Sequence, residues 1–330
     1  MRFAVILTCR VLSIGFVSLA VAQHIIASSS SCPRTAMSSQ KQPVLFLSHG
    51  GGPSFFLSAS DSPFLSGMDK DSDAARYLRE LAQKVPVQAQ NRAKTRYLGG
   101  CTGEKLNSHK AVLVVSAHWE ESDVTIQTTK KPDLYFDYYG FPPETYKLTW
   151  PAVGAPDLAK KIQNLLECKG IKCKTNSERG YDHGVFVPFK LIFPDPKVPV
   201  FQLSLDSSLD PEVHLRLGEA LQELREEGIL IVGSGFTTHR MRPSSDPDYG
   251  KKMQEWLHNV LTNPQLTPSE RRKILVTCDH LPAVQEAHPR TEHLLPFLVT
   301  MAAAEYNSGR ILFSASLHSG WVLEHYIFDS

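Results

Sequence analysis

Paired cysteines are missing from this chain. Its six cysteines, at 9, 32, 101, 168, 173 and 278 of 330 residues, never fall in a C-x-x-C spacing, which excludes a structural zinc knuckle and a thioredoxin-like redox pair. They read as free thiols; a disulfide between Cys168 and Cys173 would need an oxidising compartment, and a core of this size does not require one. An excess of charge is missing too. Lys and Arg number 35 against 34 Asp and Glu, a formal net charge of +1, so no global field favours nucleic acid or an anionic membrane. Beyond the N-terminal segment no run is long and apolar enough to span a bilayer. There is no internal repeat and no G-x-S-x-G nucleophile turn. What remains is 42% hydrophobic and 21% charged, enough apolar material for one large core and suited to a small neutral ligand.

Residues 1–42 differ from the rest, with an apolar stretch around Arg10, serines from Ser28 to Ser31, and no Asp or Glu before Asp61. They read as a leader or disordered segment. A secretory signal would end at Ala20-Val21-Ala22, although Arg10 interrupts its apolar run; a mitochondrial presequence would carry Arg2, Arg10 and Arg34. Translation from Met37 would instead give a leaderless, cytoplasmic product. Residues 43–330 are expected to form a single catalytic domain, with 85–109, polar and without periodicity, as an inserted excursion.

Within that domain short apolar runs alternate with helical patterns, which predicts an α/β fold: a mainly parallel central sheet covered by helices on both faces. Strands are expected at Val44–Leu47, Ala111–Ser116, Val200–Ser204, Leu230–Gly233, Ile274–Cys278 and Arg310–Ser314. Helices are expected at Ala74–Lys84, Asp157–Cys168, Glu212–Glu227, Lys251–Leu261 and Glu292–Tyr306. Pro156 and Pro211 suit a first turn, Asp210 an N-cap. The segment Leu134–Pro151 holds four tyrosines, two phenylalanines, a tryptophan and three prolines. It is irregular, and either walls a pocket for a flat aromatic ligand or caps the core.

Histidine is where the chemistry concentrates. His49 follows Val44–Ser48, His118 follows the Leu113–Ala117 run, and His239 follows Ile231–Thr238. In an open α/β sheet the crevice beyond the strands' carboxyl ends binds ligands, so separate strands deliver imidazoles to one edge. His183, in Tyr181-Asp182-His183-Gly184, stands in a loop before an apolar run. His293 opens the last helix, with Thr291 as N-cap and Glu292 either a ligand or a first-turn acid. Neutral imidazoles with open coordination positions suit Zn(II) or Fe(II) in a catalytic site. Zinc would activate water; iron would serve dioxygen chemistry. Ligand types alone do not choose. His280, His288 and His318 lie near the same edge and read as solvated, and His24, His109, His214, His258 and His325 receive no role.

Five motifs, in this order, resemble a known family. They are Ser48-His49-Gly50-Gly51-Gly52-Pro53; Ser116-Ala117-His118-Trp119; Tyr181-Asp182-His183-Gly184 with Val187-Pro188-Phe189; Gly233-Ser234-Gly235 leading to His239; and Glu292-His293-Leu294-Leu295-Pro296. Together they are similar to class III extradiol ring-cleavage dioxygenases, in the 4,5-DOPA extradiol dioxygenase-like branch of the LigB-type superfamily. The resemblance implies one divalent metal, Fe(II) for catalysis with Zn(II) as a plausible bound ion, held by His49, His118 and His293 at the carboxyl edge of the sheet. It implies that His239 is a further ligand in a zinc-bound form or an acid/base residue, and that His183 is catalytic. A glutamate supplies the third ligand in protocatechuate-type relatives, and Glu292 stands where it could do so in place of His293. The substrates implied are O2 and a small catechol opened to a semialdehyde. Two other readings stand beside this one. A zinc hydrolase could use the same histidines; an esterase-like reading of His49-Gly50-Gly51-Gly52 has only Gly99-x-Cys101-x-Gly103 to offer as a nucleophile turn. A binding protein could keep the fold without the activity.

Overall fold

The computed structural model describes residues 41–61, 65–84 and 111–329. The leader at 1–42, except its last two residues, lies outside them, as do the inserted segment at 85–109, His24, His109, Cys9, Cys32 and Cys101.

Eight strands form one sheet: β1 (Val44–Ser48), β2 (Val112–Glu121), β3 (Val124–Gln127), β4 (Cys173–Asn176), β5 (Val200–Asp206), β6 (Leu230–Gly235), β7 (Arg310–Ser316) and β8 (Val322–Phe328), in the order β4-β3-β5-β2-β6-β1-β8-β7. The four central strands β5, β2, β6 and β1 are parallel. Parallel pairing, as expected, holds there and between β3 and β4. β3 runs antiparallel to β5, β8 to β1 and β7 to β8, so the whole sheet is mixed. The reason is burial: Val112–Val115, Phe201, Leu203, Ile231 and Val232 are fully buried, as continuous apolar strands covered on both faces must be, each side chain adding about 1.5–3 kcal/mol. β3, β4 and β8 lack so clean an apolar run and are absent from the expected strands.

The helices are α1 (Asp73–Lys84), α2 (Pro156–Cys168), α3 (His183–Ile192), α4 (Pro211–Leu221), α5 (Tyr249–Thr262), α6 (Pro268–Leu275), α7 (Pro282–Ala287) and α8 (Leu295–Ala303). Successive residues of β6 show that both faces are covered. Gly233 abuts Pro296 and Thr300 of α8, while Ser234, pointing the other way, bonds Gly184 of α3. Asp210 caps α4 through the Glu212 amide, as expected. Two expectations fail. The strand predicted at Ile274–Cys278 is the end of α6 and a 3-10 turn at Cys278–His280. The Thr267/Glu270 capping box and Pro268 nucleate a helix upstream, so the short apolar run falls at its end, with Leu275 the buried helical position. The last helix begins at Leu295 rather than Glu292, because Pro296 favours a first turn there; Thr291 accepts the Leu294 and Leu295 amides through its carbonyl.

Among the described residues no helix is long and apolar enough to cross a membrane. Cys168, Cys173 and Cys278 are free thiols.

Candidate metal centre

Register puts the carboxyl ends of three strands level: Ser48 of β1 pairs with Gly235 of β6, and Ser116 of β2 with Ser234. His49 is the next residue after β1. His118 stands where β2 has left β6 and shifts its register against β5. Gly50, at φ +83°, turns the chain away behind His49 in a conformation that side chains oppose. Gly235 lets another segment close in, since a Cβ there would lie 2.2 Å from the His293 carbonyl oxygen; the Phe236 amide donates to that same carbonyl at 3.0 Å. A strand that ends in glycine therefore draws in the stretch before α8, and His293 with it.

Three imidazoles meet there. The Nε2 of His118 is 3.0 Å from that of His49 and 3.2 Å from that of His293. Each opposite nitrogen is engaged. His49 Nδ1 lies 3.0 Å from Ser234 Oγ, and since that hydroxyl donates to the Gly184 carbonyl, it accepts from His49. His293 Nδ1–H donates to Glu292 Oε1 at 2.8 Å. His118 Nδ1 faces Asp137 Oδ2 at 3.5 Å, an ion-pair distance. With protons on Nδ1, as their bonds to Ser234 and Glu292 place them, His49 and His293 turn Nε2 lone pairs toward the Nε2 of His118. A metal ion where the three Nε2 atoms meet would take all three nitrogens as ligands. Metal–imidazole bonds of about 2.0–2.1 Å at angles of about 90–110° would separate neighbouring nitrogens by about 2.8–3.4 Å, so the residues fit the group. All three imidazoles are held well below the usual histidine range, first by burial and then by the neighbouring histidines. That keeps them neutral, the form that binds metal.

The free Gly184 carbonyl has a local cause. Pro188 sits inside α3 and has no N–H to donate four residues back, so Gly184 O is left for Ser234. The Val187-Pro188-Phe189 motif thereby reaches His49 through two hydrogen bonds.

His183 and His239 line the same cavity without joining the three nitrogens. His183 is the first residue of α3 rather than a loop residue; its Nδ1 and its backbone N–H both donate to Asp137 Oδ1, at 2.8 and 2.9 Å. His239 lies face to face on His293, ring centroids 3.5 Å apart, with Nδ1 3.2 Å from Glu292 Oε1. Glu292 thus stands behind His293, against the Nδ1 side of both rings, and Arg290 approaches its other oxygen at 3.3 Å. Burial alone would raise both carboxyls. Bonds and charge from His183 and His118 instead hold Asp137 at about 2, and His239 with Arg290 draws Glu292 below its ordinary range.

The cavity holds about 470 Å3 and is walled by Tyr138, Phe141, Phe236 and Trp321, with Tyr139 and Met241 at its mouth. The Leu134–Pro151 segment serves both expected purposes. Tyr138 and Phe141 face the cavity, whereas Phe136 packs on Phe186 and Trp150 on Tyr181.

Sequence reading misses Asp137, Ser234 and the Ser116–Asp182–Arg179 strap, in which Ser116 Oγ donates to Asp182 at 2.7 Å and accepts the His118 amide at 3.2 Å. Arg179 donates to Asp182 and to the His118 carbonyl. Ser116, Asp182 and Ser234 lie inside recognised motifs and could be found there; Asp137 and Arg179 carry no signal. Histidines outside the site also have structural partners, His288 and His325 nearest to it. His288, expected to be solvated, is buried and donates to the Thr237 carbonyl at 3.0 Å. His325, given no role, accepts the Ser48 amide beside His49 at 3.2 Å.

Comparison with known proteins gives the family. The chain is 38% identical over 218 residues to the 4,5-DOPA dioxygenase extradiol of Beta vulgaris, covering 64% of this chain and 78% of that one. It is 34% identical over 280 residues to the dioxygenase tasH of Hapsidospora irregularis, covering 79% and 78%. The crystal structure of an uncharacterized protein from Escherichia coli K12 superposes with a TM-score of 0.63 at 23% identity over 87% of this chain and 100% of that one, a likeness of fold. The model of the catalytic LigB subunit of aromatic ring-opening dioxygenase matches residues 102–326, and with these relatives it establishes that the chain belongs to that family, as an extradiol ring-opening dioxygenase of its 4,5-DOPA-like branch.

Proposed function

We propose that this enzyme opens the ring of a small, DOPA-like catechol with O2, using Fe(II) held by His49, His118 and His293. The observation that carries the reading is the convergence of three Nε2 atoms on one point of an aromatic cavity, with His49 and His293 held by acceptors behind their rings and His118 Nδ1 facing Asp137 at 3.5 Å. Relatives named for 4,5-DOPA support the substrate class. Fe(II), when bound, would supply the one-electron chemistry that lets O2 react with an aromatic ring, which Zn(II), an ion the same nitrogens accept, lacks.

The chain's own groups account for the rest. Tyr138, Phe141, Phe236 and Trp321 orient a flat ring and exclude water from it. His183 and His239 each present a ring backed by a carboxylate at Nδ1. Each can therefore accept a phenolic proton at Nε2 and return one as the ring opens. Glu292 serves as a support behind His293 and His239 in this reading, not as the third ligand.

The test is anaerobic reconstitution of the purified protein with Fe(II), then exposure to O2 with a catechol panel that includes DOPA. Oxygen uptake matched by yellow ring-opened product is expected. Iron binding with no catechol consumed, together with ester or amide hydrolysis by the zinc form, would replace the reading with the hydrolase; binding of a catechol with neither reaction would leave a binding protein.

A further inference from the structure

Asp137 reaches the centre from the loop that walls the cavity. Its Oδ1 takes two hydrogens from one residue, the ring Nδ1–H and the backbone N–H of His183, while Oδ2 faces His118. Two bonds to a single residue fix the direction of the ring as well as its tautomer. With the proton on Nδ1, Nε2 is left as a lone pair. The ring so held has its centroid 3.9 Å from that of His118.

The loop is also tied to the chain just before His183. The Tyr135 amide donates to the Tyr181 carbonyl at 2.7 Å and the Tyr181 amide to the Asp133 carbonyl at 2.8 Å. The Arg179 guanidinium lies 4.8 Å from the Tyr135 ring centroid and donates to the His118 carbonyl at 2.9 Å. Tyr138 and Phe141 follow Asp137 closely in the chain, so the aromatic wall and the carboxylate that holds His183 belong to one loop.

We propose that Asp137 is a positioning residue for ring cleavage: it holds His183 with Nε2 free to take a proton from the bound diol, and it couples that orientation to the aromatic wall and to His118. This rests on the dioxygenase reading above. In the step it serves, the O–H bond of the catechol breaks, the proton forms a bond to His183 Nε2, the electron pair stays on the phenolic oxygen, and the Nδ1–H bond persists against Asp137.

Asp137→Ala and Asp137→Asn test this, in the Fe(II) enzyme for turnover and in the diamagnetic Zn(II) form for 15N NMR of the histidine rings. Asp137→Ala should lower kcat on the order of 10–100-fold with the catechol KM little changed, because the wall remains. Its His183 ring should lose the Nδ1–H signature seen in the parent protein. Asp137→Asn, which keeps an acceptor oxygen, should retain that signature and recover part of the rate. An unchanged kcat, an unchanged His183 tautomer in Asp137→Ala, or a rise in KM that accounts for the whole loss would each overturn the proposal. If Asp137→Ala does not fold, Asp137→Asn decides: parent-like kcat overturns the idea, and a partial loss at parent-like KM supports it. If the parent protein opens no catechol, the tautomer measurement on the zinc form still decides for or against Asp137, so the two failures are separable.

Discussion

Two carboxylates stand behind this centre, and they are built differently. Asp137 joins His118 and His183; Glu292 joins His293 and His239. Each therefore couples one member of the nitrogen trio to one histidine of the cavity. Glu292 is the chain neighbour of His293 and is partly neutralised by Arg290, itself paired with Glu120. Asp137 comes from a loop distant in sequence from His183, and the groups it engages are the two histidines. The same function, orienting an imidazole through Nδ1, is met once by local sequence and once only by tertiary structure.

The largest effect should come from splitting each pair. His118→Ala and His293→Ala should lose the bound metal and all turnover. His183→Ala and His239→Ala should keep the metal and lose about 10²–10⁴-fold in rate. Metal content and oxygen uptake, measured on the same samples, check both. If His239→Ala also empties the site, Glu292 supports two ligands and the likeness between the pairs breaks.

Acid should test the burial of two further histidines behind the centre, His288 and His325. Burial depresses His288 to about 4 and His325 to about 3, below the ordinary value of about 6.5. The unfolded chain therefore binds more protons than the folded one between those values. Stability contributed by the neutral rings is complete above about pH 6.5 and falls as pH drops toward 4, by about 1.4 kcal/mol per unit for each ring. Denaturant titrations of metal-free protein between about pH 7 and pH 4.5 should show at least the slope of two such groups. A flat profile would mean that these rings are not buried as described.

The smallest effect concerns His49, whose support is a hydroxyl rather than a carboxylate. Ser234→Ala leaves a buried Nδ1–H without its acceptor and should cost about 1–3 kcal/mol of metal affinity. Pro188→Ala restores a helical donor to Gly184 and should weaken metal binding less than Ser234→Ala while leaving the metal-free fold as stable or more so. Chelator competition and melting curves on the two variants and their double check this. Losses that add in full would show that Pro188 does not act through Ser234.

Much of this is legible in the chain. Apolar runs mark the four central strands, because strands covered on both faces have no polar alternation to blur them. His49 is readable as the residue after a strand and His118 as the residue where an apolar run stops, although β2 continues past it to Glu121, and Pro156, Pro211 and Asp210 mark helix starts. The antiparallel flanks are not legible, since β3 and β8 mix polar with apolar residues and owe their place to pairing. Nor is α6, whose three-residue apolar run suits a strand or a helical stripe equally until the capping box at Thr267 is weighed.

By itself, then, the sequence determined the type of chemistry: which imidazoles lie at strand ends, that no redox cysteine pair or nucleophile elbow competes with them, and which family the motifs resemble. Only the tertiary structure decided how those rings are oriented, that His183 and His239 stand beside the nitrogen trio rather than within it, and that Glu292 lies behind His293. The physical reason is that a tautomer depends on the acceptor at the far nitrogen, and for His183 and His49 that acceptor comes from a segment far away in the chain.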